Sequence, residues 1–131
     1  GAEYRLDYLL IGKNSIGYQF VFVEFEDVNV EYRLKTAASE TDKVRKGLNQ
    51  IRDWKRWMDK NREYFLRANG IREFAHNIAP CGIRYCLVVS RRDKMDEISN
   101  QLRGELQKEV GVKIMSYDRL VDYVSLLHNG I

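Results

Sequence analysis

An α/β domain with a mixed sheet flanked by helices is the fold class this sequence predicts. Three observations lead there. Four short stretches are rich in aromatic and β-branched residues. Three longer stretches repeat apolar residues at helical spacing. Their order along the chain is β-β-α-β-α-β-α. Only the first two strands are joined by turn chemistry alone, so they form a hairpin. The later strands each follow a helix, which suits crossovers in a mixed sheet. The length of 131 residues fits one domain spanning 1–131.

The elements follow in order. Residues 4–11 (YRLDYLLI) read as a strand, and 12–17 (GKNSIG) as the turn after it. Residues 18–28 (YQFVFVEFEDV) form the strongest strand. Phe20 to Val23 is apolar on both faces, which predicts a central position. Residues 29–40 hold no clear period and read as a loop. A long helix follows, capped by Thr41 or Ser39, with Val44, Leu48, Ile51, Trp54, Met58 and Phe65 on one face. Asn69-Gly70 stops it. Residues 71–82 read as irregular, and 83–90 (IRYCLVVS) as a buried strand. Met95, Ile98, Leu102, Leu106 and Val110 mark a second helix, capped by Asp93 or Asp96 and ended by Gly111. Residues 112–116 (VKIMS) are a short strand, and Asp118 opens a last helix.

Composition narrows the function classes. The apolar fraction is 44% and the charged fraction 31%, as in globular domains. The longest apolar runs are far short of a membrane span, so no membrane partner is expected. Cys81 and Cys86 make no disulfide framework, and their spacing does not suit a zinc knuckle. A reducing, cytoplasmic setting is expected. No Walker A, GxGxxG or GxSxG motif is present, so dinucleotide and α/β-hydrolase readings lack support. Net charge is +3, unevenly spread: residues 1–40 carry −3, residues 41–72 carry +6, and the remainder is neutral. An acidic start followed by a basic segment suits a cation site beside a phosphate-attracting surface, or simply a solvated helix face.

Three carboxylates come from the first hairpin. Asp7 lies within an apolar strand. Glu24 and Glu26 are two apart, so both side chains point to one face. Hard divalent cations need oxygen ligands gathered on a rigid support, and neighbouring strands can supply them. The bland alternative is an exposed strand end with ordinary acidic residues. On the long helix, Lys43, Lys46, Gln50 and Trp54 fall along one face. A lysine there can stabilise charge developing on a phosphate. Arg45, Arg52 and Arg56 on the helix, and Arg91 and Arg92 after the third strand, are candidate phosphate contacts.

Asp7 in one strand, Val23-Glu24-Phe25-Glu26 in the next, and Gln50-Ile51-Arg52-Asp53-Trp54 on a helix resemble the PD-(D/E)xK nuclease superfamily. More narrowly the chain looks like the nuclease domain of the Shedu anti-phage defence proteins. Arg5 to Leu10, Phe22 to Glu26, Gln50 to Trp57, Val89 to Arg92 and Ile114 to Leu120 carry that likeness, which spans nearly the whole chain. The resemblance implies a restriction-endonuclease-like fold and Mg²⁺-dependent hydrolysis of DNA, with Mn²⁺ as an alternative ion. It implies Asp7 and Glu24 as metal ligands, the Phe25 carbonyl as a further one, and Gln50 as support from the helix. Two departures stand out. Glu26 occupies the position of the family's lysine, where it would add a ligand or take a proton while Lys43 or Lys46 supplies the charge (Lys35 is a weaker substitute). The first helix and strand of the superfamily core are missing, which suits a piece of a longer protein with flanking domains. Restriction-like nucleases often pair, so a homo-oligomer is expected by analogy. A silent nucleic-acid-binding module and an oligomerisation scaffold remain the competing readings, the latter drawing on Trp54 and Trp57, which do not share one narrow face.

Overall fold

The computed structural model describes residues 8–14, 17–70 and 78–128. Its elements are β1 (Tyr8–Asn14), β2 (Gly17–Phe25), α1 (Asp42–Ala68), β3 (Ile78–Val88), α2 (Glu97–Val110), β4 (Lys113–Met115) and α3 (Tyr117–His128). A single 3₁₀ turn, Arg92–Lys94, precedes α2. The four strands form one sheet in the order β1-β2-β3-β4. β1 runs antiparallel to β2, with Tyr8 opposite Val23 and Asn14 opposite Gly17. β3 and β4 run parallel to β2. The predicted order and mixed sheet are therefore present.

Alternation along β2 and β3 builds two cores. Phe20 and Phe22 of β2, with Tyr85 and Leu87 of β3, face α1 and α2. They meet Val44, Leu48, Ile51, Trp54, Met58 and Phe65 of α1, while Leu102, Leu106 and Val110 of α2 pack on the rim. Aromatic rings fill the centre: Phe22 stacks on Tyr85 at 5.3 Å and lies 5.6 Å from Phe65. Trp57 sits edge-on to Trp54 at 5.7 Å, half-buried within the same aromatic group. The opposite face packs Val23, Cys86 and Val88 against Met115, Tyr117 and Leu120, beneath α3. The sheet is thus covered on both sides, as parallel strands require.

β4 is an edge, and its outward backbone is occupied by α2. The Ile114 N–H donates to Gln107 Oε1 at 2.8 Å, and Arg103 Nη1 donates to the Ile114 carbonyl at 3.1 Å. Such bonds close an edge that would otherwise template another strand.

Several boundaries differ from the sequence reading. Residues 12–14 continue β1 instead of turning, which leaves a two-residue connection between Asn14 and Gly17. β2 stops at Phe25, short of the expected Val28. β3 starts at Ile78, within the stretch 71–82 that reads as irregular in the sequence. Pairing jumps from Tyr18–Ile78 to Phe20–Ile83, so extra β3 residues bulge out where proline cannot donate to a ladder. Thr41 is the N-cap residue of α1, but its hydroxyl donates to the Glu31 carbonyl at 2.7 Å instead of capping. Asp96 caps α2 by accepting from the Ser99 N–H at 2.8 Å, and Met95 lies before that helix. Ser116 Oγ, not Asp118, accepts from the first turn of α3, through the Arg119 N–H at 3.2 Å. Gly111 ends α2 in the left-handed conformation, as its position predicts. Among the described residues no helix is long and apolar enough to cross a membrane.

Candidate carboxylate site

The same alternation that buries Phe20 and Phe22 carries Glu24 and Glu26 onto the α1 side of the sheet. Glu24 is 6% exposed and lies in register with Leu87 of β3. Glu26, just past the strand, is half-buried. The chain around it is fixed from two sides. Its N–H donates to the Val88 carbonyl at 2.9 Å, and its own carbonyl accepts the Tyr117 hydroxyl. Phe25 stacks on Tyr117 at 6.1 Å. One residue further, the Asp27 carbonyl accepts the Ser90 N–H at 3.1 Å. This is the C-terminal end of a parallel strand, where open α/β sheets place ligands.

Gly47 sets how closely α1 approaches that end. A Cβ built there would lie 2.6 Å from Leu87 Cδ1 and 2.9 Å from Glu26 Cγ. Only a residue without a side chain lets the helix backbone sit so near both strands. Lys43 and Gln50 are one turn before and after Gly47 along the helix, on its flank, and both are exposed. Lys46 is exposed further round. Neither lysine forms an ion pair with Glu24 or Glu26 among the described residues. Trp54 is buried in the aromatic core.

The candidate phosphate contacts are distributed elsewhere. Arg45, Arg52 and Arg56 fall within about 40° of the direction opposite Gly47 at ~100° per residue. They line the outer surface of α1, away from the carboxylates. Arg45 is bound to the buried Glu40 carboxylate. Arg91 grips Asp118 with Nε at 3.1 Å and Nη2 at 3.0 Å, which holds that carboxyl well down, at about 2. Arg92 pairs with Asp122 at 2.7 Å. Both arginines tie the end of β3 to α3. Lys35 is exposed beside Arg33 and Asp93. Burial pushes the Cys86 thiol up to about 11.

Asp7 lies outside the described residues. Among those described, no group of three or more His, Cys, Asp or Glu gathers closely enough to hold a metal ion. Glu24 and Glu26 nevertheless suit a small hard cation, which keeps most of its water and takes one or two carboxylates. Tyr117 and Gly47 were not singled out in the sequence. A lone glycine within the apolar stripe of a long helix was the available signal for Gly47.

No curated protein and no solved structure matches the chain. The family model described as "Shedu protein SduA, C-terminal" matches residues 2–121, nearly the whole sequence. The chain therefore belongs to the Shedu family, as the C-terminal domain of an SduA protein.

Proposed function

We propose that this domain is a metal-dependent nuclease that hydrolyses DNA phosphodiester bonds on a restriction-endonuclease-like fold. Membership of the Shedu family implies a role in anti-phage defence. The observation that carries the nuclease reading is the placement of Glu24 and Glu26 on one face at the C-terminal end of β2, with Glu26 against Gly47 of α1.

In this reading Glu24 and Asp7, with the Phe25 carbonyl and Glu26, hold Mg²⁺ or Mn²⁺. The ion supplies Lewis-acid polarisation of the phosphate and of the attacking water. The chain's own residues do the remaining work. Glu24 is buried, and its backbone is fixed within β2. Glu26, more open, either adds its ligand to the ion or accepts the proton that water loses. Lys43 or Lys46, exposed on the helix flank, offsets the charge that develops on the phosphoryl oxygens. Gln50 orients the water or the phosphate from the same flank.

A second reading, a nucleic-acid-binding module that does not cut, is favoured by one feature: Glu26 stands where the superfamily has lysine. A plasmid assay in Mg²⁺, Mn²⁺ or EDTA separates the two. The nuclease reading expects nicked or linear product with either ion, none in EDTA, and none for Glu24→Ala. Intact plasmid with wild type under every condition, with salt-dependent retention of DNA, favours the binder.

A further inference from the structure

A cavity of about 350 Å³ lies beside β4, between α2 and α3. Its walls carry Arg92, Arg103, Lys113 and Arg119, with Asn100 and Ser116 between them. Met95 and Met115 close the apolar side. Among the described residues no carboxylate lines it. The neighbouring concavities are different: the one holding Arg52, Lys55 and Arg56 also holds Asp59 and Glu109, and the one holding Arg33, Lys35 and Lys94 also holds Glu31, Asp93 and Asp96.

Arg92 is paired with Asp122, while Arg103, Lys113 and Arg119 add like charges around one concavity, whose low-dielectric wall focuses their field into it. The arrangement is most favourable with an anion inside. The donors are also ordered. Arg103 is pinned through Nη1 to the Ile114 carbonyl at 3.1 Å and to Gln107 Oε1 at 3.4 Å, so the other donors of its fork are available to a ligand at little entropic cost. Arg92 is steered by Asp122. The Ser116 hydroxyl accepts the Arg119 N–H, which leaves its own proton to donate. Fixed guanidinium forks with a hydroxyl match phosphoryl oxygens, which accept several charge-assisted bonds at once.

We propose that this cavity binds a phosphorylated ligand through its phosphoryl oxygens. It lies two strands from β2, so it is distinct from the Glu24–Glu26 site and does not depend on the nuclease reading. The phosphoryl group belongs either to a free nucleotide or to a nucleic-acid strand crossing the β4 edge. The cavity is at the small end of the range for ligand sites, which run from roughly 300 to 1,000 Å³.

The test is calorimetric titration of the chain with sodium pyrophosphate in EDTA at fixed ionic strength. Parallel titrations use ADP and a short DNA duplex. The expected result is saturable pyrophosphate binding, weakened about tenfold by Lys113→Ala, the loss of one charge-assisted bond. The double variant Lys113→Ala with Arg119→Ala abolishes it, and Lys60→Ala on the surface of α1 leaves it unchanged. Thermal unfolding of each variant confirms that the fold is intact, and neither Lys113 nor Arg119 contributes a side chain to a buried core. ADP binding tighter than pyrophosphate, with no displacement by duplex, assigns a free nucleotide. Displacement of pyrophosphate by duplex, with steep salt dependence, assigns a strand. Absence of saturable pyrophosphate binding, or equal binding by the double variant, overturns the proposal. Because metal and cleavage are excluded, neither outcome bears on whether the carboxylate pair is catalytic.

Discussion

Gly47→Ala probes the contact between α1 and the carboxylate strand most sharply. The new methyl would lie 2.6 Å from Leu87 Cδ1, 2.9 Å from Glu26 Cγ and 3.3 Å from Leu87 Cδ2. Carbon atoms in contact prefer about 3.5–4.0 Å, so the first overlap is about 1 Å. Leu87 is fully buried, and the Glu26 contact is at the base of its side chain, so neither yields freely. Overpacking of this kind costs about 1–3 kcal/mol. Alanine recovers about 1 kcal/mol of helix propensity over glycine. The expected net loss is about 1 kcal/mol, a fall in Tm of about 4 °C for a chain this long. Denaturant unfolding and a thermal melt measure it. On the nuclease reading the same variant displaces Glu26 and lowers cleavage as well. A rise in stability of about 1 kcal/mol would mean that the helix gains its propensity without a clash, and would refute the close seating of α1 on β2 and β3.

Other perturbations have equally definite outcomes. The Cys86 thiol titrates at about 11 in the fold against ~8.5 in an unfolded chain. Its contribution to stability is therefore complete below ~8.5 and is lost as pH rises towards 11, at up to about 1.4 kcal/mol per pH unit. Urea titrations across that window should show a steeper decline for wild type than for Cys86→Ala. The Asp118 carboxyl, lowered to about 2 chiefly by its hydrogen bonds from Arg91, acts in the other direction. Its contribution is present above ~3.9 and disappears as pH falls through about 2, so Asp118→Asn should flatten the acid limb of the Tm profile. Tyr32 is fully buried, and its hydroxyl has no hydrogen-bond partner among the described residues. Tyr32→Phe should raise stability by about 1 kcal/mol in denaturant unfolding, since it removes a desolvated polar group and keeps the ring.

The sequence carried the architecture where period and composition agreed. The apolar stripe from Val44 to Phe65 and the double-faced run from Phe20 to Val23 predicted the long helix and the central strand, and both are present. It misled where one residue type serves two purposes. Residues 78–82 read as irregular but belong to β3, whose pairing with β2 shifts register between Tyr18 and Phe20. Thr41 and Asp118 read as caps, yet tertiary partners, the Glu31 carbonyl and Arg91, compete successfully for their side chains. The site was legible in part. Period-2 spacing places Glu24 and Glu26 on one face, and helical spacing groups Lys43 and Gln50. Whether those two groups meet depends on how α1 is seated, and that is set by the absence of a side chain at Gly47. The cavity beside β4 draws its cations from four elements spread between Arg92 and Arg119, and no local pattern brings them together.

Calorimetric titration of Mn²⁺ into wild type and Glu24→Gln tests the central claim most directly. The substitution keeps the size of the side chain and removes its charge, so the buried position is filled and the melt reports an intact fold. The account predicts saturable binding of the ion by wild type and its loss in Glu24→Gln. Equal affinity in the two proteins, or no binding by either, would contradict a cation site at the end of β2.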